Sequence, residues 1–217
     1  MVDINILGLD LSLNCAGFFL FNTDNFEILE YGFIPNKDID ESEKILKIYN
    51  VIIGLFDKYQ IDGIGIEEEF MAKNTYTLKR LSRVHGAALL AIAQRKIPYV
   101  YYSVLTAKSV TLSGFKTKRE DGTKKKGDEL KKEVAEEIFK IFGRDNFPKK
   151  TSFDITDAAS LAITYHRKNG KPIETIKKPK KEKKKKEEKV EKTIKTKGSK
   201  WVLFYENIYL QNNNHVL

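Results

Sequence analysis

The sequence is poor in cysteine, and its single thiol, at Cys15, excludes an internal disulfide framework and any zinc site built from several cysteines. It has no apolar run close to the roughly 20 residues that a transmembrane helix needs. Residues 1–3 also lack the basic start of a signal peptide. From these absences we expect a soluble protein that works in the cytoplasm, away from membranes.

The sequence is rich in charge, and the position of that charge matters more than its amount. Of the 217 residues, 39 are Lys or Arg and 30 are Asp or Glu, which gives a formal net charge of +9. Residues 168–200 contain 15 lysines and 5 glutamates, whereas residues 1–167 contain 24 basic and 24 acidic residues. We therefore predict a folded domain at 1–167, a Lys/Glu-rich linker or disordered tail at 168–200 and a hydrophobic C-terminal segment at 201–217.

Two roles are open for this tail. It can bind DNA without sequence preference through counterion release, or it can be a solvated spacer. The partner of the hydrophobic segment that follows is not readable from the sequence.

Apolar periodicity predicts an α/β fold. Segments near 4–9, 16–21 and 26–34 indicate three strands, and their short connections predict an antiparallel meander. Further along, the pattern predicts helices near 41–59 and 75–95, strands near 61–66 and 98–104, a lysine-rich loop at 116–127, and helices near 130–141 and 154–166. We expect a mixed, five-stranded sheet flanked by helices.

Acidic residues stand at the ends of three of these elements. Asp10 closes the first strand, Glu67 closes the fourth, and Asp154 and Asp157 lie on one face of the last helix. Singly, each has an ordinary explanation, because Asp is common in turns and acids favour the first turn of a helix. Together they would repel one another unless a cation neutralised them. Hard oxygen ligands suit Mg²⁺ or Mn²⁺, and two such ions ~4 Å apart can promote hydrolysis of a phosphodiester.

Three motifs occur in order over about residues 4–167. They are Ile6-Leu7-Gly8-Leu9-Asp10 with Gly17 soon after, Ile66-Glu67-Glu68-Glu69-Phe70-Met71-Ala72-Lys73-Asn74, and Asp154-Ile155-Thr156-Asp157-Ala158-Ala159 running on to His166. This set resembles the RuvC-like Holliday-junction resolvases of the ribonuclease H-like superfamily. The resemblance implies a ribonuclease H-like fold.

The resemblance also implies roles for individual residues. Four acids match those with which the family holds two divalent cations, Mg²⁺ or its substitute Mn²⁺, for catalysis: Asp10, Glu67, Asp154 and Asp157. Glu67 is preferred to Glu68 and Glu69 because it stands three residues before Phe70. The DNA-binding candidates are Phe70, which would stack on an unpaired base, and Lys73, Asn74, Lys108 and Lys126.

From this resemblance we expect a homodimeric, metal-dependent endonuclease that resolves four-way junctions and other branched DNA by paired symmetric nicks, in recombination, repair or phage DNA debranching. One alternative keeps the fold but acts on RNA or RNA–DNA hybrids. A second is a non-catalytic junction-binding protein. A third is an actin-like or sugar-kinase-type ATPase, which the short chain without a second phosphate loop disfavours.

Two features depart from the bacterial pattern of the family. The loop Thr117–Gly127 is longer, which puts its junction contacts in doubt, and the lysine-rich tail has no counterpart in the family core. Both would fit a phage or viral relative.

Overall fold

The computed structural model describes residues 4–36, 39–69, 75–112 and 114–169. Its strands and helices are, in chain order, β1 (Asn5–Asp10), β2 (Cys15–Asn22), β3 (Ile28–Pro35), α1 (Glu41–Lys58), β4 (Gly63–Glu67), α2 (Thr75–Arg95), β5 (Tyr99–Tyr102), α3 (Val104–Thr111), α4 (Gly127–Phe142) and α5 (Phe153–Asn169). A 3-10 turn at Arg144–Asn146 follows α4. None of the helices in the described ranges is long and apolar enough to cross a membrane.

The five strands form one mixed sheet in the order β3-β2-β1-β4-β5. The first three strands pair antiparallel, as short turns between successive strands require. The β1–β4 and β4–β5 pairs are parallel, with α1 and α2 as the respective crossovers. The predicted meander and the mixed five-stranded α/β sheet are therefore confirmed.

One predicted boundary was wrong, and one helix was missed. Val104 was assigned to the fifth strand, but that strand ends at Tyr102 and Val104 begins α3. Ser103 starts the helix, because its side chain accepts a hydrogen bond from the Thr106 backbone N–H at 3.2 Å. The β-branched residues that follow concealed this short helix in the sequence.

The sheet separates two apolar cores, because alternate residues of a strand face opposite sides. Leu7 and Leu9 of β1 pack in the core with α1 and α2. Ile6 packs in the other core, with α4 and α5. Gly8 also faces α5, because a Cβ added there would lie 1.9 Å from the Ala158 carbonyl oxygen. The α5 backbone therefore lies almost against β1.

The predicted domain boundaries stay predictions. The last described helix, α5, continues to Asn169, two residues beyond the predicted end of the folded domain. Most of the predicted tail at 168–200, and all of the segment 201–217, lie outside the described residues.

Candidate active site

The alternation of the strands directs two of the predicted acids toward the same helix. Asp10 is two residues beyond Gly8, so its side chain points to the α5 side of β1. On the adjacent strand, a Cβ added at Gly65 would lie 2.4 Å from the Leu161 carbonyl oxygen of α5. Glu67, two residues further on, therefore also faces α5. The same parity argument selects Glu67 over its neighbour Glu68, which is exposed just beyond the strand.

The first turn of α5 reaches these strand ends because a glycine stands where it crosses β2. Gly17 pairs with Asp10 in the sheet, and a Cβ added at Gly17 would lie 2.1 Å from the carbonyl oxygen of Asp154. Any larger residue would force the helix away from the sheet. Asp154 and Asp157, three residues apart on this helix, are thereby brought to the side of the sheet that carries Asp10.

The carboxylate of Asp154 is held by two neighbouring donors. Cys15 donates its S–H to Asp154 Oδ2, with the sulfur 3.1 Å away, and Ser152 donates its hydroxyl to the same oxygen at 2.5 Å. Burial, this hydrogen bond and the nearby acids raise the pKa of Cys15 to about 12. The thiol therefore stays protonated and acts as a donor.

Asp157 has a basic partner from another helix. The ammonium Nζ of Lys131, on α4, lies 2.9 Å from Asp157 Oδ2. Only 13% of the Asp157 side chain is exposed, whereas 38% of the Lys131 side chain is. This ion pair therefore sits at the rim of the site, where solvent screens it only in part.

The two strand-end acids interact electrostatically with the helix acids. The pKa of Asp10 is raised well above its ordinary value, first by burial and then by the negative charges of Glu67, Asp157 and Asp154. Burial and the charge of Asp157 also raise the pKa of Glu67. A hydrogen bond with Asp10 and the positive charges of Lys131 and Lys108 act in the opposite direction on Glu67. The negative charges of the other three acids thus all act on Asp10.

The predicted lysines occupy two different environments. Lys108 lies on α3 with only 8% of its surface exposed, near enough to Glu67 to lower the pKa of that carboxyl. Lys126 precedes the first residue of α4 and is exposed. Among the described contacts, none joins Lys126 to the four acids.

Three further DNA-binding candidates, Phe70, Lys73 and Asn74, lie outside the described residues. Their assignment rests on the sequence motif alone and stays a prediction.

The donor set fits a hard divalent cation in its chemistry. Its members are carboxylates, and their mutual repulsion is the kind that a bound cation relieves. Within the described ranges, however, no three carboxylate, imidazole or thiol groups already converge closely enough to hold a metal ion. In this arrangement Asp157 faces Lys131, and Asp154 faces Cys15 and Ser152. The predicted roles of the four acids in catalysis and metal binding stay predictions.

The sequence interpretation missed Cys15, Ser152 and Lys131. The first two carried a weak signal, since Cys15 begins a strand directly after the Asp10 loop and Ser152 stands two residues before Asp154. Lys131 carried none, because it is one of many lysines before and within α4. Only the packing of α4 on α5 distinguishes it.

Comparison with known proteins identifies the family. Residues 6–166 match the family model described as crossover junction endodeoxyribonuclease RuvC. The chain is 25% identical over 173 residues to the protein of that name from Fusobacterium nucleatum, covering 78% of this chain and 84% of the relative. It is 29% identical over 173 residues to the one from Cytophaga hutchinsonii, covering 78% of this chain and 79% of the relative.

A solved structure agrees with the fold. The structure of T. thermophilus RuvC in complex with Holliday junction substrate has a TM-score of 0.59 to this chain at 16% identity, covering 76% of this chain and 95% of that one. This likeness supports the ribonuclease H-like arrangement of the sheet and helices. Since the family model spans most of its length, the chain belongs to the RuvC family of crossover junction endodeoxyribonucleases.

Proposed function

We propose that this RuvC-family endonuclease cuts four-way DNA junctions with Asp10, Glu67, Asp154 and Asp157 as its catalytic, metal-holding acids. The observation that carries the proposal is the placement of these four acids on one side of the sheet. Two of them end adjacent parallel strands on the side that α5 covers, and the other two lie in the first turns of α5. Buried like charges are unfavourable for folding. Their accumulation here is explained if the site exists to hold cations against a phosphodiester.

The residues of the chain divide the work in the proposed reaction. The four carboxylates would hold two Mg²⁺ ions, with Mn²⁺ as a substitute, and such ions lower the pKa of water and stabilise charge on the phosphate. Cys15 and Ser152 fix the carboxylate of Asp154 from one side. Lys108, close to Glu67, supplies a buried positive charge for the phosphate oxygens of the substrate.

A short hairpin before α4 supports the proposed role of Lys126 in DNA binding. Lys118 and Lys124 form an antiparallel bridge, and the Lys125 N–H donates to the Thr117 carbonyl at 2.9 Å. Two ion pairs join this hairpin to α4: Arg119 with Glu129, and Lys125 with Glu133. Lys118, Lys124 and Lys126 are exposed. These three ammonium groups are available to phosphates of the junction arms.

A symmetric pair of cuts requires two active sites, so we propose a homodimer. On α2, Gly86 is exposed, and apart from its chain neighbours and its own helix backbone no described atom is within 4 Å of a Cβ added there. Leu90, one turn further on, is 57% exposed. A bare backbone next to an exposed leucine suits close packing against a second copy of the helix. Light scattering of the wild-type protein and of Leu90→Lys tests this, since the charged variant should shift the mass toward the monomer.

The substrate class is tested by comparing labelled DNA substrates. We expect the wild-type protein with Mg²⁺ to nick a four-way junction in two strands of like polarity and to leave ligatable ends. A flap, an RNA–DNA hybrid and a linear duplex of the same sequence serve as controls. Preferred cleavage of the hybrid would favour the RNA-directed alternative, and tight junction binding without cleavage would favour the non-catalytic one. The cytoplasmic location stays a prediction from the sequence.

A further inference from the structure

One lysine that the proposed reaction does not use is ion-paired with the acidic group. Lys131 places its ammonium 2.9 Å from Asp157 Oδ2 and 5.9 Å from the centre of the Phe153 ring. Among the described ion pairs, the Lys131–Asp157 pair alone includes one of the four acids. The aromatic ring covers one side of the ammonium and contributes a cation–π attraction.

The position of Lys131 follows from the packing of α4. Val134, Ile138 and Phe142 form the buried stripe by which α4 contacts the α5 side of the core. The buried Leu130 continues this stripe by one turn, and Lys131 lies next to it, three residues before Val134. From this flank of the stripe, Lys131 reaches Asp157 in the first turns of α5. The next residue, Lys132, is exposed on the outer side of the helix. The helix thus directs one lysine into the site and the other into solvent.

The positive charge of Lys131 acts on other acids of the group besides Asp157. It lowers the otherwise raised pKa values of both Asp10 and Glu67. The ammonium, 2.9 Å from Asp157 Oδ2, therefore neutralises part of the excess negative charge of the acidic group.

We infer that Lys131 is a resident counter-ion that stabilises the metal-free acidic site and competes with divalent cations for Asp157. This inference rests on the proposed function, because it takes Asp157 to be one of the metal-holding acids. A cation that approaches Asp157 meets the repulsion of the ammonium and must displace it from Oδ2. Lys131 thus lowers the metal affinity of the site while protecting the fold in the absence of metal.

Removing the charge of Lys131 should lower the stability of the metal-free protein but raise its affinity for Mg²⁺. A simple loss of packing would not raise the Mg²⁺ affinity. In EDTA, Lys131→Met should unfold at a lower temperature than the wild-type protein, because the acids lose their counter-ion. In Mg²⁺ titrations followed by calorimetry, the same variant should bind about tenfold more tightly, as expected when a unit charge a few ångströms from the metal is removed at a partly exposed site. Lys131→Arg, which keeps the charge, should retain the wild-type Mg²⁺ affinity.

Lys132→Met is the matched control, since it removes an exposed lysine from the adjacent position; it should change neither value. If Lys131→Met folds too poorly to titrate, Lys131→Gln replaces it. Unchanged or weaker Mg²⁺ binding by the neutral variants, in a protein whose wild type binds Mg²⁺ and cuts junctions, would overturn the inference and leave the proposed function standing. A wild-type protein that neither binds Mg²⁺ nor cuts would overturn both.

Discussion

Asp10 and Glu67 end two neighbouring parallel strands side by side, because Leu9 pairs with Ile66 in the sheet, and both acids face α5. Burial and then the charges of three acidic neighbours raise the pKa of Asp10 well above its ordinary value, so the fold opposes ionisation of this carboxyl. Without a divalent cation, this pair is therefore an unfavourable element of the fold.

Removing the charge of Asp10 should stabilise the metal-free protein. A carboxyl whose pKa is raised by folding contributes stability below its unfolded-state pKa and loses that contribution as pH rises through the folded-state value. At neutral pH in EDTA, we expect Asp10→Asn to be more stable than wild type by about 1–3 kcal/mol, the usual size of a buried polar mismatch. The difference should shrink toward pH 4 in urea unfolding experiments.

The exposed Glu68 provides the control for that experiment. Glu68→Gln removes a nearby negative charge that does not face α5, so its stability should stay within about 0.5 kcal/mol of wild type at either pH. An Asp10→Asn protein less stable than wild type in EDTA would refute the proposed repulsion.

The alternation of side chains along β4 predicts which residue in the run of three glutamates is needed for cleavage. Glu67→Gln should abolish junction cleavage, because this carboxylate faces α5 and the other acids. Glu68→Gln and wild type should cut at similar rates under single-turnover conditions. The reverse pattern, with Glu68 essential and Glu67 dispensable, would show that the acidic site is assembled on the other side of the strand end.

The close approach of α5 to the sheet makes Gly17 a sensitive position. A methyl group at Gly17 would collide with the Asp154 backbone, so Gly17→Ala should shift the first turn of α5 and move its acids. We expect a loss of about 1–3 kcal/mol of stability and a fall in cleavage of at least about tenfold.

Gly54 is the matched control for Gly17. It lies exposed in α1, and apart from its chain neighbours and its own helix backbone no described atom is within 4 Å of a Cβ added there. Gly54→Ala should therefore stabilise the protein by up to about 1 kcal/mol through helix propensity and leave cleavage unchanged. Equal effects of the two substitutions would mean that the position of α5 does not depend on Gly17 in β2.

His85 gives a pH prediction away from the acidic site. It is 3% exposed, stacks on Tyr101 at 5.9 Å between ring centres, and has Nδ1 3.7 Å from Glu69 Oε1. Burial lowers the pKa of His85, and the charge of Glu69 offsets this only in part. Its contribution to stability is therefore present above the unfolded-state pKa and is lost as pH falls through the folded-state value.

His85→Phe, which keeps a ring against Tyr101, should lose less stability than wild type between pH 7 and pH 5. Tyr101→Phe keeps the histidine and should show the wild-type pH dependence. Chemical denaturation at several pH values measures both. Identical pH slopes for His85→Phe and wild type would contradict a lowered pKa for this histidine.

The sequence was sufficient to predict the five-stranded sheet and the places of Asp10 and Glu67 at the ends of its strands. Apolar strands that end in Asp10 and Glu67 are local patterns, and strand parity follows from them. The contact between Lys131 and Asp157 could not be read in the same way, because it depends on the rotation and distance of α4 relative to α5. Likewise, the approach of Asp154 to Cys15 depends on α5 crossing β2 at Gly17, a tertiary contact between residues far apart in sequence.

The proposed function requires the four acids to perform the hydrolysis of junction DNA. The most direct measurement compares wild type and Asp10→Asn on one labelled four-way junction, with binding followed in Ca²⁺ and cleavage in Mg²⁺. We expect similar junction affinity for the two proteins, paired nicks by wild type and no product with Asp10→Asn. Cleavage by Asp10→Asn at the wild-type rate would refute the proposed role of Asp10.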